Sequence, residues 1–283
     1  MASAQTLTSP ASHLDQRNSI VSICNNLTIE PAALQALRLV CDRASTSPPM
    51  QSASVPLIVV GFVGGFAKPD DLRHPEPLFA LYLQQQYGAE IHAQVFSNHD
   101  ARHARLYVLR HLDTDHDGVV SLEERRKARV IIYGHSWGAS ETAAFAAQLE
   151  RLQIPVLLTV QVDIISKPGQ EPDVIPPNVA EAINFYQSGG PLHGRPQILA
   201  ADPAKTAILG NIQLLYDHLP VNCDNYNWFV RRFNKPHHEI ENDPRVWSQV
   251  SSLIDAEATS RKRPLGLQET IRASAMQTSR PSQ

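Results

Sequence analysis

The chain has 283 residues, 42% of them hydrophobic and 19% charged, with a formal net charge of −3. That size and composition suit one main globular domain with tails, and the near-neutral charge excludes the clustered basic face that nucleic-acid binding needs. The cysteines Cys24, Cys41 and Cys223 are odd in number, widely spaced and free of any C-x-x-C pair, which excludes a disulfide framework and a cysteine-based metal site.

The N-terminus carries neither the charged nor the apolar region of a signal peptide, and no apolar run reaches the ~18 residues of a membrane span. The expectation is a cytoplasmic protein without a membrane span, or an exported one if the true start lies upstream. Residues 1–54 are rich in Ser, Thr, Ala and Pro and form an N-terminal extension. Ala33, Leu34, Leu37 and Val40 share a face of one amphipathic helix over 31–43, which Pro31 opens.

The main domain is expected over 55–256. Val55 to Val60 is an apolar strand of the kind buried between two helical layers, and it empties into Gly61-Phe62-Val63-Gly64-Gly65-Phe66. This glycine-rich exit lacks the G-K-[ST] ending of a P-loop and the G-x-G-x-x-G of a dinucleotide site. A helix over 75–87, a strand over 90–96 and a helix over 100–112 follow, and this alternation predicts an α/β fold with a mostly parallel sheet flanked by helices.

Asp113-Thr114-Asp115-His116-Asp117-Gly118-Val119-Val120-Ser121-Leu122-Glu123-Glu124 interrupts the alternation and matches D-x-D-x-D-G-x5-E at every position, resembling an EF-hand calcium loop. Asp113, Asp115 and Asp117 offer monodentate oxygens, Val119 its carbonyl, Ser121 a water-mediated contact and Glu124 a bidentate carboxylate. The competing reading is an acidic helix-capping loop. With no second loop to pair with and a short exit helix, the expectation is one structural Ca2+. Chelation should then disturb Ser136, because the loop leads into the strand before it.

That strand, Arg129 to Tyr133, runs into Gly134-His135-Ser136-Trp137-Gly138, and a small-faced helix with Ala139, Ala143, Ala146 and Leu149 follows. Strand, G-x-S-x-G and helix together are the context of a nucleophile elbow at Ser136. A serine hydroxyl needs a base, and the base an orienting acid, in the chain order nucleophile, acid, histidine. Asp163 ends the next apolar strand, 154–162, and is the favoured acid, with Asp202 its rival. The base is expected on a polar loop over 234–243, as His237 in preference to His238; His135 reads as packed under the elbow.

Between these lie a lid-like stretch over 164–193, with the apolar Val174 to Pro177 and a short helix over 179–186, then a strand over 197–200 and a segment whose Trp228, Phe229 and Val230 are expected in the core. A helix over 244–256 closes the domain, and the tail from 257 is polar and expected to be disordered.

Gly61-Phe62, the Gly134 to Gly138 motif, Asp163 and His237 together resemble the α/β-hydrolase superfamily of lipases, esterases and thioesterases. The resemblance implies an ester or thioester substrate, acyl transfer to Ser136 with His237 as base and Asp163 orienting it, and an oxyanion held by the N–H groups of Phe62 and Trp137. It implies no redox or group-transfer cofactor. The apolar stretch at Val174 favours an apolar acyl group. A non-catalytic, calcium-stabilised binding protein of this fold and an amidase or lactonase are the competing readings.

Overall fold

The structure, a computed structural model, describes residues 55–226 and 228–260, so the helix expected over 31–43 and most of the C-terminal tail lie outside the described residues. The apolar runs form strands β1 (Leu57–Val63), β2 (Ile91–Ser97), β3 (Val130–His135) and β4 (Val156–Val162). With β6 (Val179–Tyr186) and β8 (Ala207–Gln213) they make a 6-stranded sheet in the order β2-β1-β3-β4-β6-β8, each neighbouring pair parallel. Two residue pairs, β5 (Val174–Ile175) and β7 (Leu199–Ala200), form a small separate ladder. The architecture is of the α/β class.

Parallel strands require crossovers that cover both faces, so alternate residues of one strand must both be apolar. In β1, Leu57, Val59 and Val63 enter a core completed by α1 (Pro75–Tyr87), α5 (Trp228–Glu241) and α6 (Pro244–Ser260), through Phe79, Leu83, Ile240, Trp247 and Val250. Ile58, Val60 and Phe62 enter the opposite core, against Val108 and Leu112 of α2 (Ala101–Leu112) and Ala143 and Phe145 of α4 (Trp137–Arg151). A five-residue helix, α3 (Leu122–Arg126), links the acidic loop to β3.

Several expectations differ from the structure. Residues 179–186 are a strand of the central sheet, and residues 164–178 form the crossover that leads to it. In that crossover Ile164 and Ile175 are buried in the α4-side core, and Asn178 O accepts the Val156 N–H at 2.9 Å. Of the stretch Val174 to Pro177, Ile175 is buried in that core while Val174 is 40% exposed. The strand expected over 197–200 shrinks to β7, while the unassigned region beyond it holds β8. Trp228 is 70% exposed at the start of α5; the side chains of Phe229 and Val230 lie outside the described set.

The rings of His92 and His111 stack at 3.9 Å where β2 meets α2. Burial, then the neighbouring His92 and Arg110, lowers His111 from its ordinary 6.5 to about 4. Between those values the unfolded chain binds the proton that the folded chain refuses, so stability present above pH ~6.5 falls as pH drops toward ~4. His111→Gln is expected to flatten the decline of melting temperature across that interval, and a decline as steep as in the parent would refute the assignment.

Candidate active site

Residues at the carboxyl ends of consecutive parallel strands converge on one edge of the sheet. Ser136 follows β3 and opens α4 with φ 58 and ψ −121, the left-handed backbone of a sharp strand-to-helix reversal. The reversal is only possible between glycines. A Cβ at Gly138 would fall 2.1 Å from Phe62 O, and one at Gly134 would fall 2.5 Å from the carbonyl of Gly138. Ser136 N–H donates to Val162 O at 2.9 Å, which ties the turn to the end of β4.

Asp163 leaves β4 in the left-handed region, φ 51, and is fully buried. Four donors replace the water it has lost. Oδ1 accepts from Gln187 N at 3.1 Å and Gly194 N at 2.8 Å; Oδ2 accepts from Gln187 Nε2 at 2.8 Å and faces His237 Nδ1 at 2.6 Å. The other ring nitrogen, His237 Nε2, lies 3.0 Å from Ser136 Oγ. Ser136, His237 and Asp163 thus form one chain of hydrogen bonds, buried at every member. Asp202 is remote from it, with its carboxylate 3.3 Å from Lys205 Nζ, and His238 turns to Glu241 at 3.4 Å.

His237 stands on a helix, which corrects the expected loop. The polar run suggested a loop, and the structure instead carries Pro236 through a break at Asn234 (φ −132, ψ 37) inside α5.

Of the two residues expected to hold the oxyanion, Phe62 lies in a strand and Trp137 at a helix start. Phe62 sits inside β1, in register with both Phe96 and Gly134 and with its ring in the core, so its backbone belongs to the sheet. Val63 is the last residue of the strand, and the chain leaves the sheet at Gly64, where an added Cβ would lie 3.0 Å from Ser136 Cβ. Asn98, directly after β2, holds this turn by donating from Nδ2 to Val63 O (3.1 Å) and Gly65 O (2.6 Å). Trp137 is the first residue of α4, as expected, and its ring meets Phe66 edge-on at 5.5 Å.

Sequence reasoning missed Asn98 and Gln187, although both share the signal that marked Asp163: a polar residue directly after a buried parallel strand. It also missed a buried polar cluster beside the triad. His135 lies against His237, ring centroids 4.5 Å apart, and its Nε2 is 3.2 Å from His237 O. Its Nδ1 points away, toward Glu241 (3.5 Å) and Glu76 (3.9 Å). Burial lowers His135 to about 3, whereas burial and the Glu241 charge push the Glu76 carboxyl up to about 8.

The acidic loop closes on itself. Glu124 Oε2 accepts from Ser121 N (2.8 Å) and Oγ (2.9 Å) and Oε1 from Thr114 N (2.7 Å), while Ser121 Oγ caps Glu124 N, a capping box at the start of α3. The backbone N–H groups of Ser121 and Thr114 hold the Glu124 carboxyl down at about 2. Gly118 N–H donates to Asp113 Oδ2 at 3.1 Å and Val119 N–H to Asp117 Oδ1 at 2.7 Å. Oxygens of Asp113, Asp115 and Glu124 lie within 4.8 Å of one another, with Asp117 outside this trio.

No family model matches the chain, and neither does any curated protein. Among solved structures it is similar to a hyperthermophilic esterase from the archaeon Pyrobaculum calidifontis, at 12% identity and a TM-score of 0.37, over 88% of this chain and 99% of that one. Among the described residues, no helix is long and apolar enough to cross a membrane.

Proposed function

We propose that the chain is a serine hydrolase of carboxylic esters or thioesters, acting through an acyl-enzyme on Ser136. The observation that carries this reading is the buried chain from Ser136 Oγ through His237 to Asp163, at 3.0 and 2.6 Å. As Oγ attacks the acyl carbon, His237 Nε2 takes its proton, and the carboxylate of Asp163 fixes the tautomer and stabilises the imidazolium that forms. The Trp137 N–H, at the positive end of α4, and an N–H of the turn from Gly64 hold the oxyanion. His237 then returns the proton to the leaving group, and water repeats the sequence to release the acid. Labelling by a fluorophosphonate tests the reading against a non-catalytic protein of this fold: a stoichiometric adduct that Ser136→Ala abolishes supports it, and an unlabelled chain refutes it.

The acidic loop is proposed to hold one structural calcium ion. Its donor set is all oxygen, as a hard dication requires, and Asp113 Oδ1 is buried without a hydrogen-bond partner. Asp113, Asp115 and Glu124 would hold the ion, Asp117, Val119 and Ser121 would complete the shell, and the ion would neutralise carboxylates that otherwise repel. Glu124→Gln separates this reading from a simple cap, since glutamine in that position still caps the helix but chelates poorly. Calcium is expected to raise the melting temperature of the parent and to leave that of Glu124→Gln nearly unchanged. Equal shifts, or no binding by calorimetry at millimolar calcium, would leave the cap alone. The loop lies at the amino end of β3 and Ser136 at the carboxyl end, six residues or about 20 Å of strand away. Chelation should therefore lower the melting temperature with little loss of turnover below it, in place of the disturbance of Ser136 that chain proximity suggested.

A further inference from the structure

The cluster behind His135 holds an arrangement that the proposed hydrolysis does not use. His74 precedes α1, Glu76 lies in its first turn, Glu241 ends α5 and His135 ends β3, so three separate parts of the fold deliver two imidazoles and two carboxylates to one place. Glu76 is fully buried and Glu241 and His135 are each 2% exposed. Neither oxygen of Glu76 is hydrogen-bonded to another residue. A buried carboxyl group that no other residue hydrogen-bonds calls for a ligand, because its lost hydration is left uncompensated.

The orientation of His135 sharpens the point. Its Nε2 is committed to the carbonyl of His237 at 3.2 Å, and an imidazole that donates there leaves a bare lone pair on Nδ1. That lone pair faces Glu241 Oε2 at 3.5 Å and Glu76 Oε1 at 3.9 Å, acceptor against acceptor. Only a proton or a cation between them removes the repulsion. An imidazole that donates one N–H to a backbone carbonyl while turning its other nitrogen inward is the usual posture of a metal-bound histidine. His74 Nδ1 is 2.7 Å from Glu241 Oε1, with the Tyr226 hydroxyl 3.1 Å from the same nitrogen. Donor atoms of His74, Glu76 and Glu241 all lie within 4.8 Å of one another. His135 stands outside that trio, its Nδ1 facing Glu76 Oε1 and the second oxygen of Glu241.

We propose that His74, Glu76 and Glu241 form the core of a closed, structural site for a divalent transition-metal ion of zinc type, and that His135 Nδ1 completes it from beside the trio. Nitrogen and carboxylate donors in a four-coordinate set suit zinc, in contrast to the all-oxygen loop at the other end of β3. With every position taken by protein the ion has no role in the chemistry. It joins α1, β3 and α5 and, through His135, steadies the backbone that carries His237.

The test uses the full chain carrying Glu124→Gln, which weakens the acidic loop's own hold on a cation, stripped by a chelator and titrated with Zn2+ and, separately, Co2+. About one equivalent of zinc should bind, and cobalt should give the visible absorption of a four-coordinate ion. His74→Ala and Glu76→Gln should each weaken zinc binding by at least about 100-fold. Because the His74 side chain is 17% exposed, His74→Ala is the variant least prone to unfold, and far-ultraviolet circular dichroism checks both. Three results would overturn the proposal: no stoichiometric zinc, binding unaltered by His74→Ala, or a metal-free melting temperature raised by Glu76→Gln in a chain that takes up no zinc. The last would mean that a shared proton already holds the carboxylate pair.

Discussion

Ser136→Ala is expected to lower the hydrolysis of short p-nitrophenyl esters by about six powers of ten while the chain stays folded. The side chain supplies the attacking atom and little else, its Oγ facing His237 Nε2 at 3.0 Å. Alanine has the same Cβ as serine, so the left-handed backbone at this position, φ 58, is strained no further. Turnover by stopped assay and the far-ultraviolet spectrum are the two measurements. Turnover retained in a folded variant would remove Ser136 from the chemistry, and with it the elbow as an active site.

The second large effect separates the acid from its rival. Asp163→Asn should cost about four powers of ten in kcat, and Asp202→Asn close to nothing. An asparagine oxygen can still accept from Gln187 N and Gly194 N as Oδ1 does now. Its amide nitrogen would then meet His237 Nδ1, donor against donor, and drive the imidazole to the tautomer that cannot take a proton from Ser136. Asp202 sits on an exposed turn beside Lys205 and touches none of these groups. His237→Ala should be as damaging as the serine change and His238→Ala far less so. Comparable losses at Asp163 and Asp202, or at His237 and His238, would contradict the geometry.

Much of this arrangement is legible in the sequence, for local reasons. Val130 to His135, Gly134, Ser136 and Gly138 announce a strand, a tight reversal and a helix because each requirement falls within a few residues. Asp163 was found through its position after an apolar run. Strand β6 was misread because VAEAINFY contains helix-favouring alanines and glutamate, and a strand buried on both faces loses the alternation that would identify it. Its register shift between Ala182 and Ile183 blurs the pattern further. Phe62 was chosen as a donor from the glycines around it, yet β-structure extends through Val63 and delays the turn. The cluster of His74, Glu76, His135 and Glu241 has no sequence signature, since its members are 2 to 167 residues apart and only the tertiary fold unites them.

The kinked α5 has a consequence for how activity can be lost. Ser136 and Asp163 directly follow strands of the central sheet, whereas His237 arrives on the last two of the described helices, docked through Ile240, Val246, Trp247, Val250 and Ile254. Terminal elements of this kind open as cooperative subunits at less free energy than global unfolding demands. Each such excursion would part His237 from Ser136 and Asp163 while those two keep their places at the edge of a native sheet. In the proposed hydrolase, heat inactivation is then expected to track amide exchange in these two helices and to set in below the melting of the β-sheet.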